Sequence, residues 1–422
     1  MKRYDLAAAA AVLSIALVAC GGGDSGNSGV TTTTVDPPVT PPTVNNVQPV
    51  VVDSGPSSQG QPIGANDEPF TTVTICVPGT TTCQSIDHVL LDTGSTGLRL
   101  LGSQITLALP FLTDSGNNPI GNCVQYADTT FQWGPIVKVD VKMAGESASS
   151  VPIQIAGQPN FAAAPVSCSA GGIPAQTELE LGANGILGVG LFRQDCGPAC
   201  ASSSPPAVYF SCPSTGCTPT SVALTNQLQN PVWMFQTDNN GLAIILPQVG
   251  ATGAVSVAGS MIFGIGTQSN NGLGSAQAQA ANENTGNFTT TFNGVRYTTS
   301  YIDSGSSGYF FLDSTTTGLP NCGTSGTGDA NGFYCPSSPV SFTAITSGPN
   351  PNGSGSTVSA NIAFSIGNGL SLIDSPNTTF NNLGGPAPGV FDWGLPFFLG
   401  RTVFIGIEGQ QSAAGTGPYW AY

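Results

Sequence analysis

The chain has 422 residues, of which 8 are Lys or Arg and 23 are Asp or Glu, so its formal net charge is −15. This balance argues against nucleic acid as a partner, because phosphate binding needs a basic surface. The 56 Gly and 33 Pro predict many short strands and turns, and the scarcity of Lys and Arg disfavours long amphipathic helices. We therefore expect an all-β fold with few short helices, in two lobes because the length exceeds one ordinary domain.

The first 20 residues have the pattern of an export signal. Lys2 and Arg3 precede an apolar run that is too short to cross a bilayer as a helix. Residues 17–20 (LVAC) resemble a bacterial lipobox, in which the cysteine, here Cys20, is lipidated and becomes the mature N-terminus. Glycine rather than Asp follows, so we expect an outer-membrane anchor facing the periplasm or the cell surface. Ordinary cleavage beside an incidental Cys20 is the alternative.

The segment after the signal is a predicted tether. Residues 21–47 consist largely of Gly, Ser, Thr, Val, Asn and Pro, and such a composition cannot bury a core. The first strand is expected within residues 45–52. We assign the N-terminal β lobe to residues 48–250 and the C-terminal β lobe to residues 251–422, and we expect a monomer. The polar segment 269–287 is predicted to be an exposed loop.

Ten cysteines remain after Cys20, and in an exported protein an even number favours disulfides. Close spacing favours four of the pairs and leaves the fifth as the remainder: Cys76–Cys83, Cys196–Cys200, Cys212–Cys217, Cys322–Cys335 and then Cys123–Cys168. Sequence alone does not prove this pairing. Zinc at the cysteines from 196 to 217 is the rival interpretation, but their spacings are not those of a zinc ribbon. We expect no metal and no cofactor.

Two related stretches organise the rest of the chain. Residues 89–98 (VLLDTGSTGL) and residues 301–310 (YIDSGSSGYF) each contain an apolar run, an Asp, a hydroxyl residue, Gly and Ser. The apolar run predicts a buried strand, and the Gly permits a tight turn. Each pattern therefore places an Asp, Asp92 or Asp303, at the end of a strand.

A second feature follows each Asp at a similar distance. Residues 183–188 (ANGILG) lie downstream of Asp92, and residues 396–400 (PFFLG) lie downstream of Asp303. The separation from Asp92 to Gly188 is 188 − 92 = 96, and from Asp303 to Gly400 it is 400 − 303 = 97. Two motifs in the same order and at nearly the same separation indicate two related halves.

These motifs resemble the pepsin-like, two-lobed aspartic proteases. Residues 126–130 (YADTT) are similar to the start of that family's flap, residues 259–264 (GSMIFG) to the strand opening its second lobe, and residues 399–408 (LGRTVFIGIE) to its closing strands. The resemblance covers roughly residues 48–422 and is most specific at the two Asp turns. It implies an endopeptidase that acts on a peptide or protein substrate in a cleft between two lobes of double-psi-barrel type.

The resemblance also implies a role for each site residue. Asp92 and Asp303 would share a proton, one activating water and the other donating to the scissile carbonyl. Tyr126 would close over substrate. Ala127 departs from the Gly that often follows this Tyr, and a Trp that often holds the Tyr is missing, for which Trp133 could substitute. Six further residues are expected to support the dyad. Ser95 and Ser306 would hydrogen-bond the outer carboxylate oxygens, Thr93 and Ser304 would orient the turns, and Gly94 and Gly305 would allow close approach.

Two other residues compete for a catalytic role. Asp53 also lies in an Asp-Ser-Gly after an apolar run, but Pro56 follows and no suitably spaced downstream motif exists. His88 is the single histidine, and a Ser-His-Asp or Cys-His hydrolase would depend on it. Its position four residues before Asp92 favours an ordinary strand side chain.

The leading function is therefore an exported, lipid-anchored aspartic endopeptidase. A catalytically silent pepsin-like lipoprotein that binds a ligand at the cell envelope is the alternative, and a purely structural envelope lipoprotein is the third. Both Asp and both following Gly-Ser pairs are present, which favours the enzyme. A dyad whose carboxylates share a hydrogen bond in an open cleft would separate the first hypothesis from the others.

Overall fold

The fold of the chain is all-β with few short helices, as the composition predicts. The computed structural model describes residues 45–58, 60–203, 205–323, 330 and 332–422. The expected signal, the lipidation at Cys20 and most of the tether lie outside this range. The first strand begins at Val47.

The described residues form 27 strands. The first fifteen are β1 Val47–Val52, β2 Ser57–Ser58, β3 Gln61–Pro62, β4 Pro69–Cys76, β5 Cys83–Asp92, β6 Thr96–Leu101, β7 Ile120–Gln125, β8 Thr130–Met143, β9 Glu146–Ala156, β10 Ile173–Pro174, β11 Gly185–Val189, β12 Tyr209–Ser211, β13 Thr218–Pro219, β14 Gly241–Leu246 and β15 Val257–Phe263. The remaining twelve are β16 Ala278–Ala280, β17 Phe288–Phe292, β18 Val295–Ile302, β19 Tyr309–Leu312, β20 Val340–Pro349, β21 Thr357–Ile366, β22 Gly384–Gly385, β23 Ala387–Trp393, β24 Arg401–Gly406, β25 Gln411–Ser412, β26 Gly415–Thr416 and β27 Tyr419–Ala421.

The helices are single turns. The α-helices are α1 Val166–Ser169, α2 Glu178–Leu181, α3 Ser314–Thr317 and α4 Gly369–Ile373, and the 3-10 helices are η1 Gly102–Gln104, η2 Gly197–Ala201, η3 Leu224–Asn226, η4 Val232–Met234 and η5 Leu395–Phe397. None of the helices in the described part of the chain has the length and apolar character needed to cross a membrane.

Strands of the first half close into a barrel. The pairings β4–β5, β5–β11, β11–β6, β6–β9, β9–β8 and β8–β4 form a ring of six strands. Closure of the ring removes free strand edges from this part of the sheet. In the second half, a separate seven-stranded sheet has the order β21-β20-β17-β18-β23-β19-β22.

A shared segment of sheet connects the two halves. β1, from the start of the described chain, pairs with both β4 and β15, and β15 continues through β14, β24 and β27 to β16. The expected lobe boundary after residue 250 falls between β14 and β15, which pair with each other, so this sheet runs across it. The segment 269–287, predicted to be an exposed loop, contributes β16, whose Gln279 is only 1% exposed.

The core of the second half is aromatic. Phe311 makes ring contacts with five neighbours, and burying each large apolar side chain contributes about 1.5–3 kcal/mol. These neighbours are Phe292, Tyr334, Phe342, Phe364 and Phe391. The strands that carry Asp303 therefore rest on a dense, apolar support.

All five predicted disulfides are present. They join Cys76 to Cys83, Cys123 to Cys168, Cys196 to Cys200, Cys212 to Cys217 and Cys322 to Cys335. The zinc interpretation is therefore wrong, since the cysteines from 196 to 217 are consumed in two disulfides. Five disulfides indicate an oxidising environment outside the cytoplasm, in agreement with export.

Candidate active site

The two Asp turns lie in the same three-strand arrangement. In the first half, β11 lies between β5 and β6, parallel to β5 and antiparallel to β6, with Gly188 paired to Asp92. In the second half, β23 lies between β18 and β19 with the same directions, and Ile302 pairs with Trp393. This register places Gly394 beside Asp303. The repeat inferred from the sequence is therefore present in the topology.

The structural counterpart of Gly188 is Gly394 and not Gly400. The predicted pairing of residues 183–188 with residues 396–400 is wrong, because residues 395–397 form η5 and Gly400 lies just before β24. The separation of 97 residues from Asp303 to Gly400 was a coincidence, and the separation that the strand register supports is 394 − 303 = 91.

Close packing explains glycine at both counterpart positions. A Cβ on Gly188 would lie 2.7 Å from Ser95 Oγ, and a Cβ on Gly394 would lie 2.1 Å from the carbonyl oxygen of Gly308. Real side chains do not approach backbone this closely, so only glycine lets each strand pass beneath its turn.

The turns bring Asp92 and Asp303 together, as predicted. The charge of Asp92 acts on Asp303, and one backbone N–H group donates to both carboxyl groups. The Gly94 N–H donates to Asp92 Oδ1 at 2.7 Å and to Asp303 Oδ1 at 3.1 Å, and the Gly305 N–H donates to Asp303 Oδ1 at 2.8 Å. Asp303 is partly exposed and Gly94 is exposed, so solvent reaches this pair.

The glycines of the turns permit this approach. A Cβ on Gly94 would lie 2.5 Å from the carboxyl carbon of Asp303, and a Cβ on Gly305 would lie 2.9 Å from Asp92 Oδ1. Each glycine thus faces the carboxyl group contributed by the other half of the chain. This geometry agrees with the role in close approach that the sequence predicts for Gly94 and Gly305.

Thr93 and Ser304 fasten the turns to each other through matched hydrogen bonds. Thr93 Oγ1 donates to the carbonyl of Ile302 at 3.0 Å and accepts the N–H of Ser304 at 2.9 Å. Ser304 Oγ donates to the carbonyl of Leu91 at 2.6 Å and accepts the N–H of Thr93 at 3.1 Å. Because these bonds are buried and reciprocal, they hold the turns in one relative orientation, as predicted for these two residues.

The two serines that follow the glycines behave differently. Ser306 Oγ lies 3.0 Å from Asp303 Oδ2, which is the predicted contact. Ser95 Oγ is buried and has no hydrogen-bond partner among the described residues, so its predicted bond to Asp92 is wrong. Ser306 Oγ also lies 2.6 Å from Oδ2 of Asp392, a residue that the sequence reasoning missed. An Asp within an otherwise apolar strand, Val390 to Trp393, was the signal that could have found it.

The surroundings of Asp303 favour its protonated form. Burial raises the pKa of Asp303 well above its ordinary range, and the charges of Asp92 and Asp392 raise it further. The N–H of Gly305 acts in the opposite direction. A pair of carboxyl groups in this state shares one proton.

Tyr126 lies where the β7–β8 hairpin turns. Its N–H donates to the carbonyl of Thr130 at 2.9 Å, and its hydroxyl donates to Gln132 Oε1 at 2.9 Å. Burial raises the pKa of the Tyr126 hydroxyl, and the charge of Asp92 raises it further. Trp133 does not hold Tyr126, because its Nε1 donates to the carbonyl of Ala162. The partner is the neighbouring Gln132.

His88 and Asp53 form their own pair outside the dyad. His88 Nε2 lies 3.5 Å from Asp53 Oδ2, and His88 Nδ1 lies 3.2 Å from Asp87 Oδ2. The hydrogen bond to Asp53 raises the pKa of His88. These contacts assign His88 to a local ion pair, and Asp53 is not brought to Asp92 or Asp303.

A family profile matches residues 42–422, and the family is described as a protein of unknown function, DUF3443. The chain belongs to this family. No curated protein matches it.

The DUF3443 match includes both Asp turns and all five disulfides, so the site lies within the family's own region. A separate cavity of about 460 Å³ in this DUF3443 chain is lined by Tyr309, Phe342, Phe364 and Arg401 among others, and by neither Asp92 nor Asp303. The chemistry that two carboxyl groups can perform is therefore located at the paired turns and not at that cavity.

Proposed function

We propose that this DUF3443 protein is an aspartic endopeptidase with a two-lobed, pepsin-like fold. The observation that carries the proposal is the pair Asp92 and Asp303, which come from two copies of one strand arrangement and both accept the N–H of Gly94. Two adjacent carboxyl groups with one proton supply both a base and an acid, which peptide hydrolysis without a metal or a covalent nucleophile requires.

In the proposed mechanism a water molecule lies between the carboxyl groups and the scissile carbonyl. As the water oxygen attacks the carbonyl carbon, Asp92 takes a proton from the water, and Asp303 donates its own proton to the carbonyl oxygen. The N–H groups of Gly94 and Gly305, which both donate to Asp303 Oδ1, stabilise the Asp303 carboxylate that results. Tyr126, at the tip of the β7–β8 hairpin, covers bound substrate.

The test compares the full chain with its Asp92→Asn and Asp303→Asn variants on a mixed peptide library from about pH 3 to 7.5. Each variant keeps the shape of the carboxyl group but cannot exchange its proton. We expect each to lose at least about 10²- to 10⁴-fold in cleavage rate. Inhibition by pepstatin would refine the family placement only.

Asp53→Asn is the matched control, because Asp53 also lies in an Asp-Ser-Gly sequence but pairs with His88. It should retain wild-type cleavage. A folded wild-type protein that cleaves nothing at any pH would contradict the proposal and favour a ligand-binding envelope protein. Retained cleavage in either dyad variant would exclude the dyad as the catalyst.

The proposal includes a lipid anchor at Cys20 that places the enzyme at the outer membrane. Its sequence support is the lipobox pattern of residues 17–20. Mass spectrometry of the N-terminal peptide is expected to show an acylated Cys20, and Cys20→Ala should release the protein from the membrane fraction. An unmodified N-terminus at another residue would contradict the anchor.

A further inference from the structure

Asp392 is a third carboxyl group beside the dyad. It lies on β23, where the strand register pairs it with Tyr301, and it is only 6% exposed. Ser306 Oγ connects it to the dyad, since this oxygen lies 2.6 Å from Asp392 Oδ2 and 3.0 Å from Asp303 Oδ2.

The fold itself does not require a carboxyl group at this position. In the first half, the residue two before Gly188 is Ile186, which is 3% exposed and packs in an apolar cluster with Phe70 and Leu90. In the second half, the residue two before Gly394 is Asp392. Burying a carboxyl group where an apolar residue would serve costs stability, so its presence indicates a role that the apolar residue could not fill.

The two contacts of Ser306 Oγ restrict where a proton can lie. A serine hydroxyl has one hydrogen, so it can donate to only one of two ionised carboxylates. Both short contacts are hydrogen bonds if Asp392 Oδ2 carries a proton and donates to Ser306 Oγ, which then donates to Asp303 Oδ2. The reverse order is less favourable, because it would leave an ionised Asp392 whose Oδ1 is buried without a partner among the described residues.

The charges facing Asp392 agree with this assignment. Three titratable groups act on Asp392. Tyr301 lies opposite it on β18, Asp303 follows the end of β18, and Asp92 belongs to the Asp turn of the first half. Burial raises the pKa of Tyr301, which stays neutral. Among the described residues no Lys, Arg or His forms a salt bridge with Asp392, and the buried Arg99 pairs with Asp195 at 3.3 Å. Burial, and then the charge of Asp92, raises the pKa of Asp392. Because no cation pairs with Asp392 among the described residues, bound protons must offset the negative charge of the three carboxyl groups.

We propose that Asp392 is a positioning residue for the dyad proton. It is protonated at the acid end of the active range, and its ionisation at the alkaline end keeps the shared proton of Asp92 and Asp303 in place to higher pH. This inference rests on the proposed function. An ionised Asp392 adds negative charge beside Asp303, which makes loss of the dyad proton less favourable. Asp392 therefore extends the active range of the dyad towards neutral pH.

The activity test measures kcat/KM against pH for the full chain and for Asp392→Asn, whose amide can donate to Ser306 Oγ but cannot ionise. We expect an unchanged acid limb, since Asp392 is protonated there, and an alkaline limb lowered by about one pH unit. Asp374→Asn, at an exposed position, is the control and should change neither limb. An unchanged alkaline limb, or an equal shift of both limbs, would overturn the proposal.

An infrared titration separates this inference from the proposed function. Difference spectra of wild type and Asp392→Asn should assign to Asp392 one protonated carboxyl C=O band that persists above the ordinary Asp range of about pH 4, and the band of the dyad should vanish at lower pH in the variant. If both results were found in a protein that cleaves no peptide, they would reject the endopeptidase and still support the role of Asp392. Absence of the Asp392 band would overturn the inference whether or not the protein cleaves peptides.

Discussion

At the scale of single residues, glycines set how closely the two carboxyl groups approach. Gly94 faces Asp303 and Gly305 faces Asp92, each at a distance that leaves no space for a Cβ. The hydroxyl groups of Thr93 and Ser304 then fix the turns that carry these glycines. The geometry of the dyad thus depends on the smallest side chains at the site as much as on the carboxylates.

Gly94→Ala is expected to separate the dyad. Its Cβ would lie 2.5 Å from the carboxyl carbon of Asp303, so the turns must move apart. We expect cleavage to fall at least about 10-fold and the free energy of unfolding to fall by about 1–3 kcal/mol, as for other overpacked sites. Urea unfolding and peptide cleavage assays measure the two effects. Gly250→Ala, where no atom lies within 4 Å of the added Cβ, is the control, and equal losses in both variants would contradict the steric argument.

At the scale of elements, the same arrangement of three strands occurs in both halves of the site. Two strands are joined by the turn that carries the Asp, and a third strand lies between these two. β11 and β23 each need glycine where they pass their turn, at Gly188 and Gly394. The position two residues before each glycine holds Ile186 in the first half and Asp392 in the second. The two halves therefore share a backbone plan but differ in the polarity of one inward-facing position.

At the scale of the whole molecule, the chain buries several acidic groups. Burial raises the pKa of Asp67, Asp195, Glu146, Asp303 and Asp392 above their ordinary ranges. The folded state then keeps protons that the unfolded chain releases above about pH 4. The free energy of unfolding must therefore fall as the pH rises from about 4 through the raised pKa values. The net charge of −15 adds repulsion at neutral pH.

We expect the melting temperature of the protein to be higher near pH 5 than near pH 8, which calorimetry can measure. Asp67→Asn should reduce this dependence, because Asp67 is fully buried and its Oδ1 only accepts the Phe380 N–H, a role that Asn can fill. One proton fewer removes about 1.4 kcal/mol per pH unit over the affected range. The exposed-site variant Asp374→Asn should keep the wild-type slope. Greater stability at pH 8 than at pH 5 would contradict the assignment of raised pKa values.

Some features of this protein were determined by local sequence. The strand before each Asp, the turns at Gly94 and Gly305 and four of the disulfides depend on residues close together in the chain, so spacing and residue type predicted them. Cys123–Cys168 followed as the remaining pair. The all-β class followed from composition.

Only the tertiary structure decided the contacts between distant segments. Gly394 rather than Gly400 lies beside Asp303 because strand register, which involves residues far apart in the chain, determines the neighbour and spacing does not. Ser306 bonds Asp303, whereas Ser95 Oγ has no hydrogen-bond partner in the part of the chain that the structure describes, because side-chain orientation at equivalent turns depends on what packs around each one. Asp392 becomes part of the site for the same reason. A single acidic residue in an apolar strand acquires its role only when folding buries it beside another carboxyl group, where its proton is retained.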